Sequence, residues 1–193
     1  YAIIMRDPIK RAASQMTANQ QTIDDIRGWF RRPTVFRHRS GYIRSHIPYD
    51  NFFVRTLCGL DCFFLPPDAL DGEHLEKAKR QLEKLDAVLV ADDLLTHLVQ
   101  LEALTGWSGL QASATRVVHN NGCAKGGPQC ARFAMSQADV RFLQDHNRLD
   151  LQLYDYAAEV AREKTTRLNH LALYTSIGED ALQVRRELYH HNP

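Results

Sequence analysis

The sequence predicts an α/β domain in which helices flank a parallel sheet, and two short apolar runs are the basis of that prediction. The runs are residues 2–5 and 87–91. A short, continuously apolar run bounded by turn signals is typical of a buried strand. Each run is followed by residues that favour the start of a helix. Two strands that each lead into a helix indicate strands of one parallel sheet.

Composition restricts the class of protein. The chain has 193 residues, of which 44% are hydrophobic and 24% charged, as in ordinary globular domains. The net charge of +1 provides no bulk field that would favour nucleic acid as a partner. No run approaches the length of a transmembrane helix. Because the chain begins directly in an apolar strand, we expect that it lacks an N-terminal portion, and that any signal peptide or membrane anchor lies there.

The first predicted strand ends in residues that suit an anion. Arg6 follows the strand, Asp7 is a favourable N-cap, and Pro8 suits the first helical position. Pro8, Arg11 and Ser14 are spaced by three and share one helix face. Ligands of open α/β sheets bind at the carboxyl ends of strands, where an arginine beside a helix N-terminus suits a phosphate. The alternative is structural, since Arg-Asp-Pro is a common strand ending and serine within a helix is usually inert.

This opening stretch resembles the 3′-phosphate-binding motif of sulfotransferases that use 3′-phosphoadenosine 5′-phosphosulfate (PAPS). The resemblance implies that Arg6 and Ser14 hold the 3′-phosphate of the nucleotide, whereas Arg11 has a structural role. It also implies the P-loop NTPase-like sulfotransferase fold, with a parallel sheet flanked by helices and its N-terminal part missing. Residues 1–160 then form the C-terminal portion of the sulfotransferase domain, and residues 161–193 form a helical extension.

Three later segments carry the same resemblance. Residues 51–58 have an Asn-x-x-x-Arg-x-Leu-Cys pattern similar to carbohydrate sulfotransferases of the heparan 2-O-sulfotransferase type, and residues 147–157 resemble their closing segment. Residues 119–125 resemble in position the loop that covers PAPS, which implies that Lys125 binds the cofactor. The glycines around Lys125 do not form a Walker P-loop, because the Gly-x-x-x-x-Gly-Lys-Ser/Thr pattern is absent. Asp92 and Asp93 follow the second strand and are interpreted as helix-capping residues.

The implied function is transfer of a sulfuryl group from PAPS, without a metal, to a hydroxyl of a carbohydrate in the Golgi lumen or secretory pathway. The catalytic residues are unassigned and expected upstream of Tyr1. The basic stretch of residues 27–46 contains interleaved aromatic side chains, and we expect its Arg37 and Arg39 to bind an anionic acceptor. A solvated loop is the alternative. RNA is disfavoured, because no RNA-binding signature accompanies the patch.

Two other classes of function remain open. A degenerate sulfotransferase domain would serve as a non-catalytic interaction or scaffold subunit. This class is favoured if the full-length chain lacks an upstream glycine-rich loop with a lysine. A kinase-like nucleotide binder is weaker, because apart from Asp92 and Asp93 no strand is followed by an aspartate that suits a metal ion.

The four cysteines are Cys58, Cys62, Cys123 and Cys130. Their close spacings favour two small disulfide loops, Cys58–Cys62 and Cys123–Cys130, over the other two pairings. Free thiols are one alternative, and zinc is another that the spacings fit poorly. Disulfides are typical of the secretory compartment and agree with a Golgi enzyme.

We therefore predict that both cysteine pairs are bridged in the purified protein. Mass spectrometry of the intact, unreduced chain after treatment with a thiol-alkylating reagent measures the number of free thiols. No alkylation before reduction and four alkylated cysteines after reduction are the expected result. Four reactive thiols in the unreduced protein would remove the argument for a secretory compartment.

Overall fold

The computed structural model describes residues 1–32, 36–37, 43–110, 113 and 135–190, and the side chains within 1–32, 45–110, 113 and 135–172. Within these residues the elements are, in chain order, β1 (Ala2–Met5), α1 (Pro8–Asn19), α2 (Ile23–Arg31), β2 (Phe36–Arg37), β3 (Ile43–Arg44), a 3₁₀ helix (Ile47–Tyr49), α3 (Phe52–Cys58), α4 (Leu60–Phe63), α5 (Gly72–Glu83), β4 (Ala87–Val90), a second 3₁₀ helix (Ala91–Asp93), α6 (Leu94–Thr105), α7 (Gln137–His146) and α8 (Arg148–His190).

Strands β1 and β4 pair in parallel, with Ala2 opposite Ala87 and Met5 opposite Val90. This confirms the prediction that the two apolar runs are strands of one parallel sheet. The described structure is mostly helical around this two-stranded sheet and is broadly α/β; β2 and β3 form a separate antiparallel pair. The finer expectation, a P-loop NTPase-like sheet, stays a prediction.

All four residues of β4 are buried, because helices cover both of its faces. Ala87 and Leu89 pack with Leu98 of α6. The alternate residues, Val88 and Val90, belong to the main core, which is formed with side chains of α3, α5 and α8. A smaller core holds α1, α2 and α7 together through Ala12, Met16, Ile26, Tyr49 and Leu143. β4 is therefore the strand on which the helical layers meet.

Local capping signals set the starts of three helices. The Asp7 carboxylate accepts hydrogen bonds from the backbone amides of Ile9 and Lys10, and Pro8 occupies the first turn of α1, as predicted. Thr22 caps α2 and Ser136 caps α7, each in a capping box with the aspartate three residues later. These caps satisfy backbone amides that the helices themselves leave without partners.

The side chain of Arg55 is fully buried and organises the turn between α3 and α5. Its Nε atom donates to the Asp50 carbonyl oxygen at 2.7 Å, and its Nη2 atom pairs with the Asp50 carboxylate. The remaining donors bind the carbonyl oxygens of residues in and after α4, which are Cys62, Phe63, Leu65 and Pro66. A guanidinium cannot lose its charge inside a protein, so a full set of acceptors is required to compensate its removal from water.

Helices α3 and α8 cap each other, although their first residues lie almost one hundred positions apart. Asp150 of α8 accepts hydrogen bonds from the amides of Phe53 and Val54 at 2.9 and 2.8 Å. In return, Asn51 Oδ1 accepts from the amides of Leu149 and Asp150 at 2.9 and 3.1 Å. The two helix N-termini are therefore fixed against each other by side chains that come from the opposite helix start.

Asn147 separates α7 from α8. Its side chain donates to the carbonyl oxygens of Tyr49 and Leu143 and accepts from the Asn51 amide. These contacts hold Asn147 between the two helices. Helix α8 runs on through residue 160. The domain boundary predicted there lies inside this helix and stays a prediction.

Gln100 of α6 closes the edge of β4 that faces away from β1. Its Oε1 atom accepts from the Val88 amide, and its Nε2 atom donates to the Val88 carbonyl oxygen, both at 2.9 Å. The same Nε2 atom also reaches the Ala161 carbonyl oxygen and the Thr165 hydroxyl. The side-chain amide therefore takes the place of a peptide group on a neighbouring strand and connects β4 to α8.

A disulfide joins Cys58 and Cys62, as predicted, at the end of α3 and within α4. Cys123 and Cys130, predicted to form the second bridge, lie outside the described residues. Among the helices that the structure describes, none combines the length and the apolar character that crossing a membrane requires.

We predict that Asp50→Ala lowers the free energy of unfolding by about 3–5 kcal/mol, because it leaves the buried Arg55 guanidinium without its carboxylate. Urea unfolding monitored by circular dichroism measures the change. Asp145→Ala is the control, since Asp145 is exposed on α7, and we expect a change within about 0.5 kcal/mol. Equal effects of the two substitutions would contradict the central role of Arg55.

Candidate functional site

The carboxyl ends of β1 and β4 meet at one edge of the sheet, because the strands are parallel and Met5 is opposite Val90. Arg6 and Asp7 leave this edge from β1, and the 3₁₀ helix Ala91–Asp93 leaves it from β4. The cap of α1 lies at the same edge, since Asp7 is its N-cap. The described structure therefore gathers polar groups where α/β sheets bind their ligands.

Arg6 is exposed at this edge, and within the described residues it makes no hydrogen bond or ion pair. Arg11 is different. Its Nη2 atom donates to the Pro48 carbonyl oxygen, and its guanidinium lies 4.7 Å from the ring centre of Phe52. Burial lowers the pKa of Arg11, and the nearby Asp150 carboxylate offsets part of that effect. Arg11 therefore has the structural role that the sequence indicates, whereas Arg6 is available to solvent.

A lysine, a carboxylate and a tyrosine form a contact chain next to Arg6. Lys10 Nζ and Asp92 Oδ1 are 2.9 Å apart, and the Tyr154 hydroxyl donates to Asp92 Oδ2 at 2.9 Å. The hydrogen bond from Lys10 is the main reason that the pKa of Asp92 lies below its usual range, and the bond from Tyr154 and the charge of Arg6 act in the same direction. Burial, followed by the bond to Asp92, raises the pKa of Tyr154. Asp92 is therefore a carboxylate whose ionised form is stabilised by its contact with Lys10 and, more weakly, by the charge of Arg6.

Ser14 is exposed on α1, one helical turn beyond Lys10. Residues four apart lie on the same face of a helix, so Ser14 shares the face from which Lys10 reaches Asp92. Arg6, Lys10 and Ser14 thus belong to the segment that leads out of the sheet edge. Convergence of Arg6 and Ser14 on one point stays a prediction.

The interpretation of Asp92 and Asp93 as helix caps is wrong for their side chains. Asp92 binds Lys10 and Tyr154. Asp93 stands at the N-cap position of α6, but its carboxylate accepts from the Thr96 hydroxyl at 2.6 Å and from no backbone amide of the helix. A sequence pattern of two acidic residues before a helix does not distinguish these contacts from capping.

Three further predicted site residues lie partly or wholly outside the described part of the structure. The backbone of Arg37 lies in β2, and its side chain is outside the described part. Arg39 and Lys125 lie outside the described residues entirely. Among the residues that are described, no group of three histidine, cysteine, aspartate or glutamate side chains is arranged to hold a metal ion.

The sequence interpretation missed Lys10 and Tyr154 as members of the site. Lys10 had a local signal, because it lies four residues before Ser14 on a predicted helix. Tyr154 had no local signal, because its partner Asp92 is 62 residues away in the chain. Only the packing of α8 beside β4 brings that pair together.

Comparison of the chain with protein-family models, with curated proteins and with solved structures finds no match. The family resemblance therefore rests on the motifs of this sequence, and the interpretation of the site rests on its geometry.

We predict that the pKa of Asp92 rises when its donors are removed, because Lys10 and Tyr154 both favour the ionised carboxylate. Carboxyl ¹³C NMR titration measures the midpoint. Lys10→Met is expected to raise it more than Tyr154→Phe, since the lysine bond is the larger cause. Lys84→Met, an exposed lysine at the end of α5, serves as the control and leaves the midpoint unchanged. One common midpoint in all four proteins would contradict the contact chain.

Proposed function

We propose that this chain holds the 3′-phosphate of PAPS and takes part in the transfer of its sulfuryl group to a hydroxyl of a carbohydrate. The observation that carries the proposal is the position of Arg6. It follows a parallel strand, directly precedes the capped start of α1, and is exposed without an ion pair among the described residues. A planar guanidinium in this position offers paired donors to a phosphate.

The neighbouring groups support the same proposal. Arg11, the other arginine of the motif, is used by the fold through Pro48 and the aromatic rings of Phe52 and Phe53. The motif therefore separates into one structural arginine and one that is open to a ligand. Ser14 adds an exposed hydroxyl on α1. A hydroxyl both donates and accepts hydrogen bonds, which suits a second contact with a phosphate oxygen.

The proposed reaction breaks the bond between sulfur and the bridging oxygen of PAPS and forms a bond between sulfur and the acceptor oxygen. The acceptor loses its hydroxyl proton to a base, and adenosine 3′,5′-bisphosphate leaves. The 3′-phosphate is remote from the reacting sulfur. Its contribution is to position the donor, and binding energy from such remote groups is used to orient the reacting centre.

An anionic carbohydrate is the proposed acceptor, with Arg37 and Arg39 as its proposed contacts. The Golgi lumen or secretory pathway is the proposed location. The Cys58–Cys62 disulfide supports that proposal, because disulfides persist mainly in oxidising compartments. A non-catalytic scaffold that retains the nucleotide site is the rival proposal. It would bind adenosine 3′,5′-bisphosphate without transferring sulfate from PAPS to any carbohydrate.

We predict that Arg6→Ala in the complete protein weakens binding of adenosine 3′,5′-bisphosphate by about tenfold to a hundredfold, the effect of losing one charge-assisted hydrogen bond. Ser14→Ala is expected to weaken it less, because a hydroxyl is uncharged. Binding of adenosine 5′-phosphate, which lacks the 3′-phosphate, changes little in either variant. Isothermal titration calorimetry with both nucleotides measures these differences.

Arg80→Ala is the matched control for Arg6→Ala. Arg80 is exposed in the last turn of α5, shortly before β4 begins, so it lies toward the opposite edge of the sheet. We expect this substitution to leave both affinities unchanged. Equal losses for the two nucleotides in Arg6→Ala would mean that Arg6 only supports the fold, and unchanged affinity for both would place the phosphate elsewhere.

A further inference from the structure

The ion pair between Lys10 and Asp92 beside Arg6 is exposed to solvent, which an ion pair that only stabilises the fold does not require. Lys10 and Asp92 are 58% and 42% exposed, so their pair is open to solvent. Exposed ion pairs of this kind contribute little to stability. The charge of Arg6, the arginine proposed to hold the phosphate, also lowers the pKa of Asp92, so this carboxylate is paired with one cation and influenced by a second.

From this arrangement we infer that Lys10 is a second cation of the phosphate site, and that Asp92 is an internal anion which a bound phosphate displaces from Lys10. The inference rests on the proposed function and adds to it a residue that determines specificity and a competing group. In the free protein Lys10 is paired with Asp92. In the complex the lysine ammonium turns to the phosphate.

The exchange is chemically balanced, because neither partner is left without a hydrogen bond. Asp92 keeps the bond that the Tyr154 hydroxyl donates to its other oxygen, and its exposed surface is open to water. Lys10 lies in the first turn of α1, between Arg6 and Ser14 in sequence, and its flexible stem permits reorientation. Its face of the helix is the one that also presents Ser14. A phosphate held by Arg6 and Ser14 therefore lies in the region that the Lys10 ammonium can reach.

The charges decide the direction of each effect. A phosphate dianion attracts Lys10 more strongly than a single carboxylate does, so removal of the lysine charge weakens binding. Asp92 opposes binding in two ways, since it holds Lys10 and repels the phosphate directly. Removal of the Asp92 charge therefore strengthens binding. If Asp92 were needed only to keep Lys10 in position, the same substitution would weaken binding.

The experiment is calorimetric titration of the purified protein with adenosine 3′,5′-bisphosphate and, in parallel, adenosine 5′-phosphate. We expect Lys10→Met to weaken binding of the bisphosphate by about three- to tenfold, between the effects of an exposed ion pair and a charge-assisted hydrogen bond. Asp92→Asn is expected to strengthen it by about two- to fivefold at low salt, with a smaller gain at high salt. Adenosine 5′-phosphate, which lacks the displacing group, is bound with little change.

A double-mutant cycle separates the two effects of Asp92. The gain from Asp92→Asn is smaller when residue 10 is methionine, because only the direct repulsion is left to remove. Lys10→Arg, which keeps the charge, retains most of the affinity and shows that the loss in Lys10→Met is not a folding defect. Lys84→Met is the control for loss of a surface charge.

The possible results distinguish this inference from the proposed function. If Arg6→Ala weakens binding while Lys10→Met behaves like Lys84→Met, the phosphate site stands and the role of Lys10 is overturned. If Asp92→Asn weakens binding, Asp92 is not a competitor and the exchange is overturned. If the unaltered complete protein binds neither nucleotide, the proposed function and this inference both fail.

Discussion

The buried charge of Arg55 is the constraint on which the architecture depends. A guanidinium removed from water needs acceptors for its donors, and here the Asp50 carboxylate and five backbone carbonyl oxygens supply them. The segment from residue 50 to residue 66 must therefore wrap around one side chain. Asp50 also accepts from the Asn51 side chain, and Asn51 in turn caps α8. The same network thus fixes α8 and, through Asp150, the start of α3.

The elements that the sequence predicts well are those whose signals are local. Asp7 and Pro8, the predicted start of α1, act through contacts within three residues. The capping boxes of Thr22 and Ser136 at the starts of α2 and α7 are equally local. Asn51 and Asp150 are different, because the backbone amides that they cap lie more than ninety residues away. The motifs around them were recognised, but their capping roles follow only from the packing of α3 against α8. The same reason explains why Arg6 was found from the sequence and Tyr154 was not.

The positively charged side chains that follow β1 have two different roles. Arg11 is enclosed by aromatic rings and a carbonyl oxygen, so its charge serves the fold. Arg6 stays exposed, and the one ion-pair partner of Lys10 among the described residues is the exposed Asp92 carboxylate. The buried Arg55 thus has acceptors for all its donors, and Arg11 is enclosed although its Nε atom has no hydrogen-bond partner among the described residues. The cations at the edge are instead exposed, and they are compensated weakly or, among the described residues, by no ion pair. That contrast is the physical basis for placing a ligand at the edge rather than in the core.

The amide of Gln100 has a consequence for the folding of the chain. An unpaired peptide group at the edge of a sheet can form hydrogen bonds with a strand of another molecule, and proteins protect such edges in various ways. At Val88 the protection comes from a side chain of α6, twelve residues later in the chain. It exists only after that helix has docked on β4. Until then the apolar strand has an open backbone edge, so we expect intermediates in which α6 is still detached to be prone to aggregate during synthesis or refolding.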